Sequence, residues 1–246
     1  MDSVYSYARQ AKNYTTLIGT RAMSMATKYV ARGPSAFSTP RVPHTTPDHP
    51  PSAYQNARNT VCAFFMAPTL LLDTPTFALY VGSALNTAKE TTYTAEHVTH
   101  VLNCAGDEDA LPVFYREQIE AYYKISMRDE SCEQISFVKD PRINEGMRDF
   151  LQQAFASRDS THKITLLVHC VFGRSRSVAI SILILFLYYH HIHEPKTIVE
   201  CYAYIGKKRK VVALNRRFLV ELTQFESCFL KDTQFRTKWM GVFESS

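Results

Sequence analysis

Paired cysteines are missing from this 246-residue sequence: Cys62, Cys104, Cys132, Cys170, Cys201 and Cys228 stand far apart, with no CxxC and no finger-like Cys/His spacing. That pattern excludes the usual zinc-ligand arrangements and a secreted disulfide scaffold, and it points to a reducing, intracellular compartment. A membrane-length apolar run is missing too, because the longest, Val178 to Tyr189, is well short of the roughly 20 residues a spanning helix needs. The nucleotide-binding patterns GxxxxGK[ST] and GxGxxG do not occur. Acidic residues are scarce in one place: none lies between Asp2 and Asp48, where Arg9, Lys12, Arg21, Lys28, Arg32 and Arg41 supply positive charge. The whole chain carries only +5, which suits an anionic ligand but is far from a nucleic-acid-binding footprint.

What is present is enough for one sizeable core, with 46% hydrophobic and 12% aromatic residues. The prolines from Pro34 to Pro51 read as an extended linker, so residues 1–67 are expected to form a flexible N-terminal extension. Its acid-poor composition also matches an organelle transit peptide, the rival reading. A catalytic domain is expected over 68–235 and a C-terminal tail over 236–246. Thr76–Ser83 and His97–Ala105 are β-branched and apolar, as strands are, and Tyr122–Asp129 alternates weakly as a third. Apolar residues recur at helical spacing over Glu145–Ser157, whereas KITLLVHC is an apolar run typical of a central strand covered on both faces. SVAISILILFLYYH is apolar on every side and predicts a helix through the core, followed by helices in TIVECYAYI and NRRFLVELTQFESCF. The alternation predicts an α/β fold: a three-layer domain with a mostly parallel central sheet flanked by helices.

Between that strand and the core helix lies HCVFGRSRS, residues 169–177. A buried strand, a glycine-containing loop and a helix N-terminus bring successive backbone N–H groups to one point, a geometry that binds phosphate or sulfate. Cys170 faces that positive pole, which favours its thiolate, a nucleophile at neutral pH. The loop from Val171 through Phe172, Gly173, Arg174 and Ser175 to Arg176 supplies the amides. Arg176 can present a planar fork to two phosphoryl oxygens, and Ser177 can donate a hydrogen bond to the sulfur. His169 is expected to order the loop through ring hydrogen bonds. His190, His191 and His193 sit at a helix end, where histidine suits the dipole better than a metal.

HCVFGRSRS resembles the HCxxGxxR[ST] pattern of cysteine-dependent protein tyrosine phosphatases, and its GxSRS ending resembles the dual-specificity branch. ALYVGSALNT, HVTHVLNCA and KKRKVVALNRRFLVEL extend the likeness over roughly residues 70–230. The resemblance implies hydrolysis of phosphotyrosine and phosphoserine or phosphothreonine through a cysteinyl-phosphate, with Cys170, Arg176 and Ser177 at the centre. It implies a general acid too, and YYKISMRD places Asp129 there, although the interval from 129 to 170 is longer than usual. Asp140 is the rival, with Asp107 and Asp109 behind it. Asn215 is similar to the asparagine that braces the loop in the family, and Cys104 to a redox partner of the nucleophile in some members. No metal or cofactor is implied. The expected partner is a phosphorylated protein, with a protein kinase as one candidate, and neither nucleic acid nor a transmembrane segment. The expected location is cytoplasm or nucleus, with mitochondria as the alternative. Two other functional readings stand beside it: a lipid phosphatase of the same fold, for which Arg174 adds a cation, and a catalytically weak phosphate-recognition module.

Overall fold

Short β-branched runs and long apolar helices fold here into a five-stranded sheet with helices over both faces. The computed structural model describes residue 59 and residues 62–63, 66–107, 119–128, 135–156 and 163–243. The expected N-terminal extension lies mostly outside these residues. The strands are β1 (Thr69–Asp73), β2 (Phe77–Ser83), β3 (His100–Asn103), β4 (Ala121–Lys124) and β5 (Ile164–Cys170), in the order β1-β2-β5-β3-β4. β1 runs antiparallel to β2 at one edge, and the other pairings are parallel. The three-layer, mostly parallel architecture is therefore the one observed.

β5 is buried at every position because helices cover both of its faces. Two short helices, α1 (Ala84–Thr87) and α2 (Glu90–Thr94), follow β2, and Tyr93 of α2 packs with Val98, Val101 and Leu167 on one face. The larger cluster on the other face joins α3 (Arg148–Ala156) to α4 (Arg176–His191), α5 (Ile198–Lys208), α6 (Arg216–Lys231) and α7 (Thr233–Met240). α4 is the predicted core helix, buried continuously from Val178 to Leu187. Among the described residues, no helix is long and apolar enough to cross a membrane.

Four expectations are corrected. The strand expected over His97–Ala105 contracts to β3, and the one over Tyr122–Asp129 begins at Ala121 and ends at Lys124. The helix expected from Glu145 starts earlier, as a π-helix over Arg142–Met147 that runs into α3. Residues 236–243 of the stretch expected as a tail are folded: α7 is capped by Asp232, whose carboxylate accepts from the Gln234 and Phe235 N–H groups, and it delivers a fully buried Trp239. Trp239 meets Phe225 edge-on at 5.2 Å, and Phe243 meets Phe155 at 4.9 Å. β1 was hidden in the sequence because TLLLD, caught between Pro68 and Pro75, is too short to show a period.

Trp239→Ala is therefore expected to destabilise the domain by about 3–5 kcal/mol, measured by urea unfolding. Trp239→Phe should cost much less, because the indole Nε1 has no hydrogen-bond partner among the described residues.

Candidate active site

Cys170 ends β5 in register with Ser83 of β2, and the chain then turns through residues 171–175 into α4. Its Sγ is nearly buried, 3.2 Å from the Gly173 backbone nitrogen, which donates to it, and 3.3 Å from Ser177 Oγ. The turn exists because Gly173 has φ +68°, the left-handed region; a Cβ there would stand 2.5 Å from the Gly82 carbonyl oxygen. Three loop carbonyls are fastened outward. Val171 O accepts from Ala84 N at 3.1 Å, Gly173 O from Arg209 Nε at 2.8 Å, and Arg174 O from Ala213 N at 3.1 Å. A trans peptide sets its N–H opposite its carbonyl, so the N–H groups of Phe172, Arg174 and Ser175 turn inward. The result is a nest of donors above one sulfur, at the N-terminus of a long helix.

Arg176 is the first residue of α4 and is buried; its Nη1 donates to Met127 O at 2.9 Å, which ties it to the chain just after β4. Arg174 reaches the other way, its Nε donating to Val211 O at 2.8 Å. Asn215 caps α6 by accepting from Arg217 N, and its own N–H donates to Ser175 Oγ at 3.2 Å. Neither ring nitrogen of His169 has a geometric hydrogen-bond partner among the described residues, although the Cys170 backbone lies close enough to act on the ring. Burial pushes this imidazole down to about 4, the Cys170 backbone partly offsets it, and Arg176 pushes further in the same direction. Cys104 follows β3 beside Cys170, its N–H donating to His169 O at 2.7 Å. Burial, then the charge of Cys170, raise this thiol well above its usual range, and Arg176 partly offsets them.

A family model described as dual specificity phosphatase, catalytic domain, matches residues 79–228. The chain belongs to that family. Human DUSP28 superposes with a TM-score of 0.51 at 18% identity, over 67% of this chain and 97% of that one. The Yvh1 phosphatase domain from Chaetomium thermophilum gives 0.51 at 17%, over 68% and 98%, and DUSP15 gives 0.50 at 17%, over 72% and 98%. At these identities the likeness carries the fold, and the phosphatase assignment comes from the family match.

Of the carboxylates expected as candidates for the acid, Asp129 and Asp109 lie outside the described residues. Asp140 is fully engaged: Oδ1 accepts from the backbone N and Nε of Arg142, both at 2.9 Å, and Oδ2 from its Nη2 at 2.6 Å. Arg142 Nη1 donates in turn to Ser126 O at 2.5 Å, so the pair fastens the chain entering the π-helix to the chain leaving β4. Asp107 is exposed and held below the usual carboxylate range by hydrogen bonds from Lys124 and Ser126. Sequence reasoning missed Arg142 and Arg209, since a lone arginine in a charged stretch carries no signal of inward orientation.

Stability should fall in acid because of His169. The imidazole titrates at its ordinary 6.5 in the unfolded chain and at about 4 when folded. Protonation therefore favours unfolding, and the stability present above pH 6.5 is lost as pH falls through 4. His100 and His190 are lowered too, in the same direction. The loss due to His169 amounts to about 3 kcal/mol when complete. Urea unfolding of wild type and His169→Gln between pH 7 and 4 should show a shallower acid decline in the variant.

Proposed function

We propose that this phosphatase hydrolyses phosphotyrosine and phosphoserine or phosphothreonine in proteins through a cysteinyl-phosphate intermediate. The observation that carries the reading is the convergence of the Gly173 N–H and Ser177 Oγ on Cys170 Sγ, inside a loop whose fastened carbonyls turn the N–H groups of Phe172, Arg174 and Ser175 the same way. The Cys170 thiolate attacks phosphorus as the P–O bond to the side chain breaks. Arg176 and the inward N–H groups of residues 171–176 hold the equatorial oxygens, where charge accumulates. The leaving oxygen takes its proton from Asp129. Water, giving that carboxylate a proton, then attacks the phosphocysteine; phosphate leaves and the sulfur departs as a thiolate stabilised by Ser177.

Cys170→Ser is expected to abolish turnover while phosphopeptide binding persists. Asp129→Asn should lower phosphoserine-peptide hydrolysis about 100-fold but slow para-nitrophenyl phosphate far less, because that leaving group scarcely needs a proton. Asp140→Asn should lower the melting temperature and leave the peptide-to-nitrophenyl rate ratio at the wild-type value. If Asp140→Asn instead alters that ratio while Asp129→Asn does not, the acid is reassigned.

Cys104 is read as the redox partner of Cys170. Peroxide would convert the Cys170 thiolate to a sulfenic acid, and the Cys104 thiol would then displace water to form the disulfide. Mass spectrometry after brief peroxide treatment should find a Cys104–Cys170 peptide, and Cys104→Ser should accumulate irreversibly oxidised Cys170 instead; absence of that peptide removes the redox role.

A further inference from the structure

KKRK, residues 207–210, reads in sequence as one solvated basic turn, but the structure separates its members. Lys207, Lys208 and Lys210 are exposed, whereas Arg209, at the end of α5, is fully buried. Its guanidinium reaches three chain segments: Nε donates to Gly173 O at 2.8 Å, Nη1 to Thr69 Oγ1 at 2.9 Å and Nη2 to Ala63 O at 3.2 Å. All three acceptors are neutral. A buried cation without a carboxylate is costly unless another anion answers it. The charged groups that act on it among the described residues are Cys170, which attracts it, and Arg174, which repels it. The Gly173 backbone leaves no room for any other residue at this contact, since a Cβ would stand 2.7 Å from Arg209 Nη2.

We propose that Arg209 is a positioning residue for phosphoryl transfer: its fork holds the Gly173–Arg174 peptide with the N–H turned toward the phosphoryl group, and its charge stabilises the Cys170 thiolate from behind the loop. The proposal rests on Cys170 being the nucleophile. Among the described residues, the Val171 and Arg174 carbonyls accept from backbone N–H groups whereas the Gly173 carbonyl accepts from a cation, which both orients and polarises the peptide. Burial lowers the guanidinium to about 10, and Cys170 pulls the other way. Lysine could keep the charge but not three planar donors. Among the described residues, Cys104 after β3 and Arg209 both feel the charge of Cys170, while Arg176 at the start of α4 acts on Cys104 and on His169 of β5, and Arg174 in the loop acts on Arg209.

Arg209→Met and Arg209→Lys separate the two effects, with circular dichroism and thermal melting as the folding control. Iodoacetamide labelling of Cys170 against pH, read by peptide mass spectrometry, reports the thiolate without requiring turnover. The midpoint should rise about one unit in Arg209→Met and return close to wild type in Arg209→Lys. Inhibition by orthovanadate should weaken about tenfold in both, because each loses the fork. A purely structural role would move the melting temperature and leave the labelling midpoint alone. A folded Arg209→Met with the wild-type midpoint overturns the proposal. Should that variant not fold, Arg209→Lys decides: wild-type vanadate inhibition overturns the proposal, and a tenfold loss supports it. A wild-type protein that turns over no phosphoester would sink the functional reading, while the labelling midpoints would still report on Arg209.

Discussion

The outward fastening of the loop carbonyls is the constraint on which the rest of this structure depends. A chain that must aim several N–H groups at one sulfur has to send the matching carbonyls outward, where each needs a donor. Ala84 after β2, Arg209 at the end of α5 and Ala213 before α6 supply those donors, so elements from distant parts of the sequence converge on six residues. Gly173 makes the convergence possible by adopting a positive φ against the Gly82 carbonyl. The sheet order follows the same need. With β5 central and fully buried, Cys170 emerges where β2 and β3 both support the turn.

Electrostatics then turns geometry into reactivity. A thiolate in a nearly closed site is costly by burial alone, and in the mechanism proposed above oriented amides, the α4 N-terminus and guanidinium groups compensate that cost. Cys104, beside Cys170, is pushed toward the neutral thiol by burial and by the charge of Cys170 itself. The same low-dielectric surroundings keep His169 neutral. Arg176 links this centre to the chain after β4 through Met127 O.

Much of this was legible beforehand. Uninterrupted apolar runs announce a central strand and a core helix whatever the neighbours, because only full burial on all sides tolerates them. HCVFGRSRS lies between two such runs, which is why the loop, Cys170, Arg176 and Ser177 could be named as a unit from residue order. The short β1, the π-helix and α7 could not be read the same way. Their residues take their conformation from partners: Tyr204 Oη donates to Leu71 O at 2.6 Å on β1, and Trp239 packs on Phe225.

By itself, then, the sequence determined the order of strand, glycine-containing loop and helix, and with it the grouping of Cys170, Arg176 and Ser177, since those depend on contiguous residues. Only the tertiary structure decided which of the scattered charges turn inward. Asp140 is spent on Arg142, and within KKRK the three lysines face solvent while the arginine, Arg209, enters the core. Local sequence cannot encode such choices, because each depends on an acceptor carried by a distant segment.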